Sequence, residues 1–253
     1  MKMCASYLTL AGTPHGEYPR YSPMDRAKAA HAVGIPSIGV LWDDPLTPEI
    51  LKYTEIPEVE WIELSRPVTL DMDATLGKLA DEYGVTLVKT GLCSPDYPVD
   101  WAALNLRRLV DIAARYGLTV AVEPVAWGNT SSLGKTLGMM TQAGVADRDN
   151  VGICYDLWQI AYGSRISERY HLPKVAKVEV SGIKLPKVDS SLIEAAMDRP
   201  LLADSEYETS DWVNRVTANL DYPVVTYEVP SAHLRDLSLL ETAQIVAEDM
   251  EVL

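Results

Sequence analysis

Residues 119–124 read Thr-Val-Ala-Val-Glu-Pro, 151–156 Val-Gly-Ile-Cys-Tyr-Asp, 175–182 Val-Ala-Lys-Val-Glu-Val-Ser-Gly, and 223–229 Pro-Val-Val-Thr-Tyr-Glu-Val. Each is a short apolar run with one carboxylate near its C-terminal end: Glu123, Asp156, Glu179 and Glu228. A negative charge in so apolar a stretch is costly unless something positive neutralises it. Four such charges gathered at one rim repel one another, and a divalent cation held by oxygen ligands is the simplest remedy. The pattern therefore points to a metal-dependent enzyme.

Outward from these runs, strand-like and helix-like segments alternate along the chain. Strands are expected at Tyr7–Leu10, Ser37–Trp42, Glu60–Leu64, Thr86–Thr90, Thr119–Pro124, Gly152–Asp156, Ala176–Ser181 and Val224–Val229, all short and rich in Val, Ile, Leu or Tyr. Helical spacing with polar starts is found at Pro23–Val33, Asp71–Tyr83, Ser131–Ala143, Asp211–Leu220 and Ser238–Met250. Another helix runs from Asp100, the expected N-cap, through Trp101, Leu104, Ile112 and Tyr116 to a closing Gly117. Gly34, Gly84 and Gly117 stand at helix-to-strand turns. About eight strand–helix units in 253 residues predict a (β/α)8 TIM barrel, one domain spanning residues 1–253. The segment from Ile183 to Ser210 is the least regular and is read as a loop covering the catalytic rim, with a passive surface excursion as the alternative.

The net charge of −14 disfavours nucleic acid and anionic membranes as partners, because binding a phosphate backbone needs a basic face. Cys4, Cys93 and Cys154 lie far apart without a CxxC pair, which fits a reducing cytoplasmic compartment. The N-terminus has no basic segment leading into a long apolar stretch, so no signal peptide is expected. No run approaches the roughly 20 apolar residues of a membrane span. Phe is absent, so Tyr, Trp and aliphatic residues must fill the core.

In a (β/α)8 barrel the active site lies at the C-terminal ends of the strands, where all four acids fall. Strand alternation puts Ala121 with Glu123, Lys177 with Glu179, and Thr226 with Glu228 on one face each. Lys89, ending the fourth strand, is a candidate for binding an oxyanion or acting as a base; the plain alternative is a rim lysine paired with the acids. Lys184 and Arg199 in the long segment, and His233 after the eighth strand, are candidate substrate contacts. His15 is a weaker one, while His31 and His171 look like helix and turn residues without a role. Trp42, Trp127 and Trp158 follow strand ends and read either as rim aromatics that bind a sugar or flat ring or as core packing.

The runs Ala121-Val122-Glu123-Pro124, Cys154-Tyr155-Asp156-Leu157-Trp158-Gln159, Val178-Glu179-Val180-Ser181 and Tyr227-Glu228-Val229 resemble the metal-binding strands of the xylose isomerase-like TIM barrels. That superfamily holds sugar and sugar phosphate isomerases and epimerases, inosose and 3-dehydroshikimate dehydratases, and endonuclease IV. By the resemblance Glu123, Asp156 and Glu228 match the Glu, Asp and Glu ligands. Glu179 stands where the family has His or Gln, and Gln159 where many epimerases have a substrate-contacting His. An all-carboxylate set, Glu123, Asp156, Glu179 and Glu228, favours Mn²⁺ or Mg²⁺ over Zn²⁺ or Co²⁺.

The resemblance makes Glu123 and Glu228 the acid/base pair of an isomerase or epimerase acting on a small polyhydroxylated carbonyl compound through a metal-stabilised enediolate. It also implies a homodimer or homotetramer. A dehydratase of the inosose or 3-dehydroshikimate type shares the first half of that chemistry. A metal-free, ligand-binding barrel is the remaining alternative. The chain's four histidines and net charge of −14 argue against a nuclease of the endonuclease IV kind. No GxGxxG follows a strand, so no nicotinamide or flavin site is expected.

Overall fold

The computed structural model describes residues 1–13, 19–42, 58–64, 68–69, 71–91, 97–164, 174–184, 191–218, 220 and 223–253. Eight strands form a closed barrel in sequence order: β1 (Lys2–Ala5), β2 (Ser37–Leu41), β3 (Glu58–Glu63), β4 (Leu87–Thr90), β5 (Thr119–Val122), β6 (Val151–Asp156), β7 (Val175–Val180) and β8 (Val224–Tyr227). The described helices are α1 (Pro23–Ala32), α2 (Met72–Tyr83), α3 (Val99–Arg115), α4 (Leu133–Gln142), α5 (Leu157–Gly163), α6 (Leu192–Ala196), α7 (Thr209–Thr217), α8 (Ala232–Arg235) and α9 (Leu239–Met250). The expected (β/α)8 architecture is the observed one. Among the described residues no helix is long and apolar enough to cross a membrane.

Two compact units make up the chain: residues 61–177, and residues 1–60 together with 178–253. Within the first unit, β3, β4, β5 and β6 pair in parallel, with Glu63 opposite Lys89, Lys89 opposite Ala121, and Ala121 opposite Gly152. That register sets Glu63, Lys89 and Ala121 on one face, and Glu123, two residues beyond Ala121, continues it. The other face buries Ile62, Val88, Val120 and Val122, and burying such a side chain stabilises by about 1.5–3 kcal/mol. Helix α3 covers this unit with Ala102, Leu106, Leu109, Val110 and Ala113, while Arg107 and Arg108 face solvent. Its N-cap is Pro98, which gives no side-chain cap bond; Asp100, the expected cap, lies in the first turn. There its charge still favours the helix dipole.

In the second unit β1 pairs with both β2 and β8, and β8 with the end of β7. The first strand differs from expectation. Lys2–Ala5 forms it, whereas Tyr7–Leu10 turns across the strand ends, where Thr9 Oγ1 donates to the Tyr227 carbonyl and accepts from Val229 N–H. A buried hydroxyl serving two backbone groups gives that turn a fixed place that an apolar pattern alone does not reveal.

Gly34, Gly84 and Gly117 all take positive φ, at 81°, 65° and 68°, where a side chain is strained. Gly84 ends α2 in the left-handed conformation and turns the chain toward β4. The described residues of the segment 183–210 form more than a bare rim loop. They carry α6, started by a Ser191–Glu194 capping box, and a 3₁₀ turn at Leu202–Asp204. Helix α5, which follows β6 without a connecting loop, was not expected; Asp156 makes it by accepting from Trp158 N–H and Gln159 N–H.

Candidate active site

Glu123 follows β5 directly, and its N–H bonds the Thr90 carbonyl at 3.0 Å, so the parallel ladder extends to it. The side chain is buried, 6 % exposed. Lys89 Nζ lies 3.1 Å from Glu123 Oε2 and 3.5 Å from Glu63 Oε2. Lys89 is itself 1 % exposed, and its ammonium stands 5.5 Å from the centre of the Trp61 ring. Lys177 Nζ stands 3.9 Å from the same ring. Two buried lysines therefore use one indole as a cation–π platform, which stabilises more strongly where water is excluded. Glu63 and Lys177 take part in the site's electrostatics although the sequence reading gave neither a role. Glu63 was hidden because it ends a strand whose start, Glu58-Val59-Glu60, is equally acidic.

Glu228 is built in a parallel manner in the other unit. Its N–H extends the ladder to the Val180 carbonyl at 2.8 Å. Ser6 Oγ donates to Oε1 at 3.1 Å, and Arg199 Nη2 lies 3.3 Å from Oε2. Arg199 is 2 % exposed; its Nε donates to the Ala196 carbonyl and its Nη1 to the Glu228 carbonyl. The loop carrying it is drawn against β7 by Gly182, whose N–H donates to the Pro200 carbonyl at 3.0 Å. A Cβ on Gly182 would fall 2.0 Å from the Leu201 carbonyl oxygen, so only glycine permits this approach. Behind Glu228, the Tyr227 hydroxyl donates to Asp249 Oδ2, and the same carboxylate accepts from Leu202 and Ala203 N–H. Burial, reinforced by the Asp249 carboxylate, pushes the Tyr227 phenol far above its ordinary range.

Among the described residues, Glu123, Asp156, Glu179 and Glu228 each offer a carboxylate oxygen within 4.8 Å of the others, and all four are buried. Two oxygens on opposite sides of one ion, with bonds of about 2.0–2.6 Å, lie about 4–5 Å apart. The four acids thus fit a single divalent cation, and their all-oxygen character suits a hard ion.

The sequence profile of the xylose isomerase-like TIM barrel matches residues 78–253. The chain belongs to that family. No curated protein matches it. Among solved structures, the zinc-bound IolI protein superposes with a TM-score of 0.75 at 15% identity, over 99% of this chain and 96% of that one. A probable 3-DHS dehydratase, AsbF of Bacillus anthracis, gives 0.71 at 14%, over 100% and 98%. A D-allulose 3-epimerase from Methylomonas sp., solved with D-allulose, gives 0.68 at 14%, over 100% and 96%. At such identities the likeness concerns the fold.

In this xylose isomerase-like barrel the remaining candidate residues fall in three places. Gln159 is buried and its Oε1 accepts from Ala126 N–H at 2.8 Å, which pins the loop after β5 beside Glu123. Trp127, on that loop, is half-buried. Lys184 and His233 are exposed, whereas Lys89 and Arg199 are buried. Trp158 is buried against Tyr162, with ring centres 4.3 Å apart, a core contact in place of a rim one. His31 is exposed on α1, whereas His15 and His171 lie outside the described residues. Cys4 and Cys154 are buried.

Proposed function

We propose that this chain is a divalent-metal-dependent isomerase or epimerase of a small polyhydroxylated carbonyl compound, sugar-like or cyclitol-like. One observation carries the reading: four buried carboxylates within 4.8 Å of one another, in a barrel of this family. Glu123, Asp156, Glu179 and Glu228 would hold Mn²⁺ or Mg²⁺. When bound, such an ion polarises a substrate carbonyl and makes the neighbouring C–H more acidic.

The proton work falls to the chain's own groups. Glu123, held through Oε2 by Lys89, takes a proton from the carbon beside the carbonyl. Glu228, held by Ser6 and Arg199, returns one to the opposite face of that carbon or to its neighbour. Asp156 has its position set by two backbone N–H groups of α5 and serves as a ligand only. In this reading residues 1–253 form one cytoplasmic domain acting on a small molecule, assembled as a homodimer or homotetramer, with no nucleic-acid or membrane partner. Arg199 meets the substrate from beside Glu228, and Gln159, Trp127, Lys184 and His233 border it.

The likeness to a probable 3-DHS dehydratase supports a second reading, in which the same proton abstraction is followed by loss of a β-hydroxyl. Both readings are tested by incubating Mn²⁺-loaded protein with a panel of ketoses and cyclic polyol ketones in D₂O. Deuterium gained at carbon beside the carbonyl, and lost in E123Q, supports the isomerase. Ultraviolet absorbance of a new conjugated double bond moves the assignment to the dehydratase. Neither signal across the panel refutes both and favours a barrel that only binds its ligand.

A further inference from the structure

The buried charges beside Glu123 contain one carboxylate more than the four-acid cluster uses. Glu63 ends β3, is 7 % exposed, and is not a member of that cluster. Its register partner is Lys89, and Lys89 Nζ reaches Glu63 Oε2 at 3.5 Å and Glu123 Oε2 at 3.1 Å. A carboxylate taken out of water at this depth is costly, so its presence calls for a compensating group, and the ammonium of Lys89 is that group.

The arrangement has a consequence for a cation at Glu123. A bare lysine 3.1 Å from a ligand oxygen would oppose the ion's charge. Because Glu63 Oε2 lies 3.5 Å from the same ammonium, the lysine also belongs to a pair with no net charge, which offsets its field at the ion. What survives is direction. The ammonium, seated on the Trp61 ring and tied to Glu63, fixes Oε2 of Glu123 and thereby the rotation of the whole carboxylate.

We infer that Lys89 is a positioning residue for Glu123, and that Glu63, through its ion pair, both anchors Lys89 and cancels its charge. The inference rests on the metal-site reading above and names two residues that serve it without touching the ion. It differs from a role for Lys89 as base or oxyanion contact, because the ammonium is engaged by two carboxylates inside the wall of the site.

The test is isothermal titration of chelator-stripped protein with Mn²⁺, which reads ligand geometry without turnover, on wild type, K89M, K89R and E63Q. Circular dichroism melts establish that each variant is folded. If Lys89 positions Glu123, K89M weakens Mn²⁺ binding at least tenfold, and K89R, which keeps a donor to Oε2, recovers most of the loss. E63Q weakens binding about threefold or more, since the ammonium's charge is then uncancelled. If Lys89 were only a nearby positive charge, K89M would bind Mn²⁺ more tightly. Wild-type affinity or better in folded K89M overturns the role. Should K89M not fold, unchanged affinity in E63Q overturns it instead. A wild type that takes up no Mn²⁺ overturns the metal reading and this role together, whereas equal binding by wild type and K89M removes Lys89 alone.

Discussion

Arg199 Nη2 lies 3.3 Å from Glu228 Oε2, with both side chains almost wholly buried, and the pair is closed by a second Arg199 bond to the Glu228 carbonyl. Removing one member of a buried pair leaves the other charge uncompensated, at about 3–5 kcal/mol. R199M should therefore lower unfolding free energy by about that amount, read from urea denaturation. R199K, which keeps the charge but cannot make the forked contact, should fall between. Equal stability of R199M and wild type would mean that Glu228 is compensated from elsewhere.

In the proposed metal site Glu179 supplies the hard character. By the resemblance the family has His or Gln at this position, and imidazole shifts preference toward softer metals. E179H should raise the Zn²⁺ to Mn²⁺ selectivity at least tenfold, measured by competition titration and elemental analysis of the loaded protein. Unchanged selectivity would take Glu179 out of the ligand set.

Gly182 is the packing point for the Arg199 loop. The added Cβ of G182A meets the Leu201 carbonyl, and overpacking of this kind costs about 1–3 kcal/mol. The variant should melt several degrees lower. Arg199 should also move off Glu228, so that any turnover falls more than thermal stability alone explains.

Tyr227 supplies a pH dependence. Its phenol is raised in the folded chain by burial and by Asp249, so the neutral form is favoured by folding. Stability from this group is fully present below the ordinary tyrosine value of about 10 and is lost as pH rises above it, where the unfolded chain releases the proton first. Wild type should lose stability between about pH 9 and 11, and Y227F should show a flatter profile over that range. Parallel profiles would exclude Tyr227 as the source.

The barrel was legible because seven of its strands fall at the predicted places, all but the acidic β3 as apolar runs, separated by helices with polar starts and glycine ends. Strand β1 was not, because Lys2–Ala5 is short and mixed, and its identity comes from pairing with β2 and β8. The four acids were legible for an electrostatic reason, since charge in an apolar run needs a cause. Their supports were less so. Lys89 and Arg199 are legible as basic residues near a rim of acids, but their partners, Glu63 and Glu123 for Lys89 and Glu228 for Arg199, depend on contacts between segments distant in sequence. Ser6 and Glu63 carry no local signal, as a serine after a strand and a glutamate at the end of an acidic one are ordinary. Gln159, which by the resemblance stands where many epimerases have a substrate-contacting His, also accepts from the Ala126 N–H of the β5 loop, a bond that no local pattern signals.

The central claim is that Glu123, Asp156, Glu179 and Glu228 gather one cation, and titration of stripped wild-type protein with Mn²⁺ beside D156N tests it most directly. Asp156 is buried at the end of β6, belongs to the cluster and has no part in the proposed proton transfers. The account predicts one Mn²⁺ per wild-type chain and at least a hundredfold weaker binding in a folded D156N. Absence of binding by wild type, or equal binding by both proteins, would contradict it.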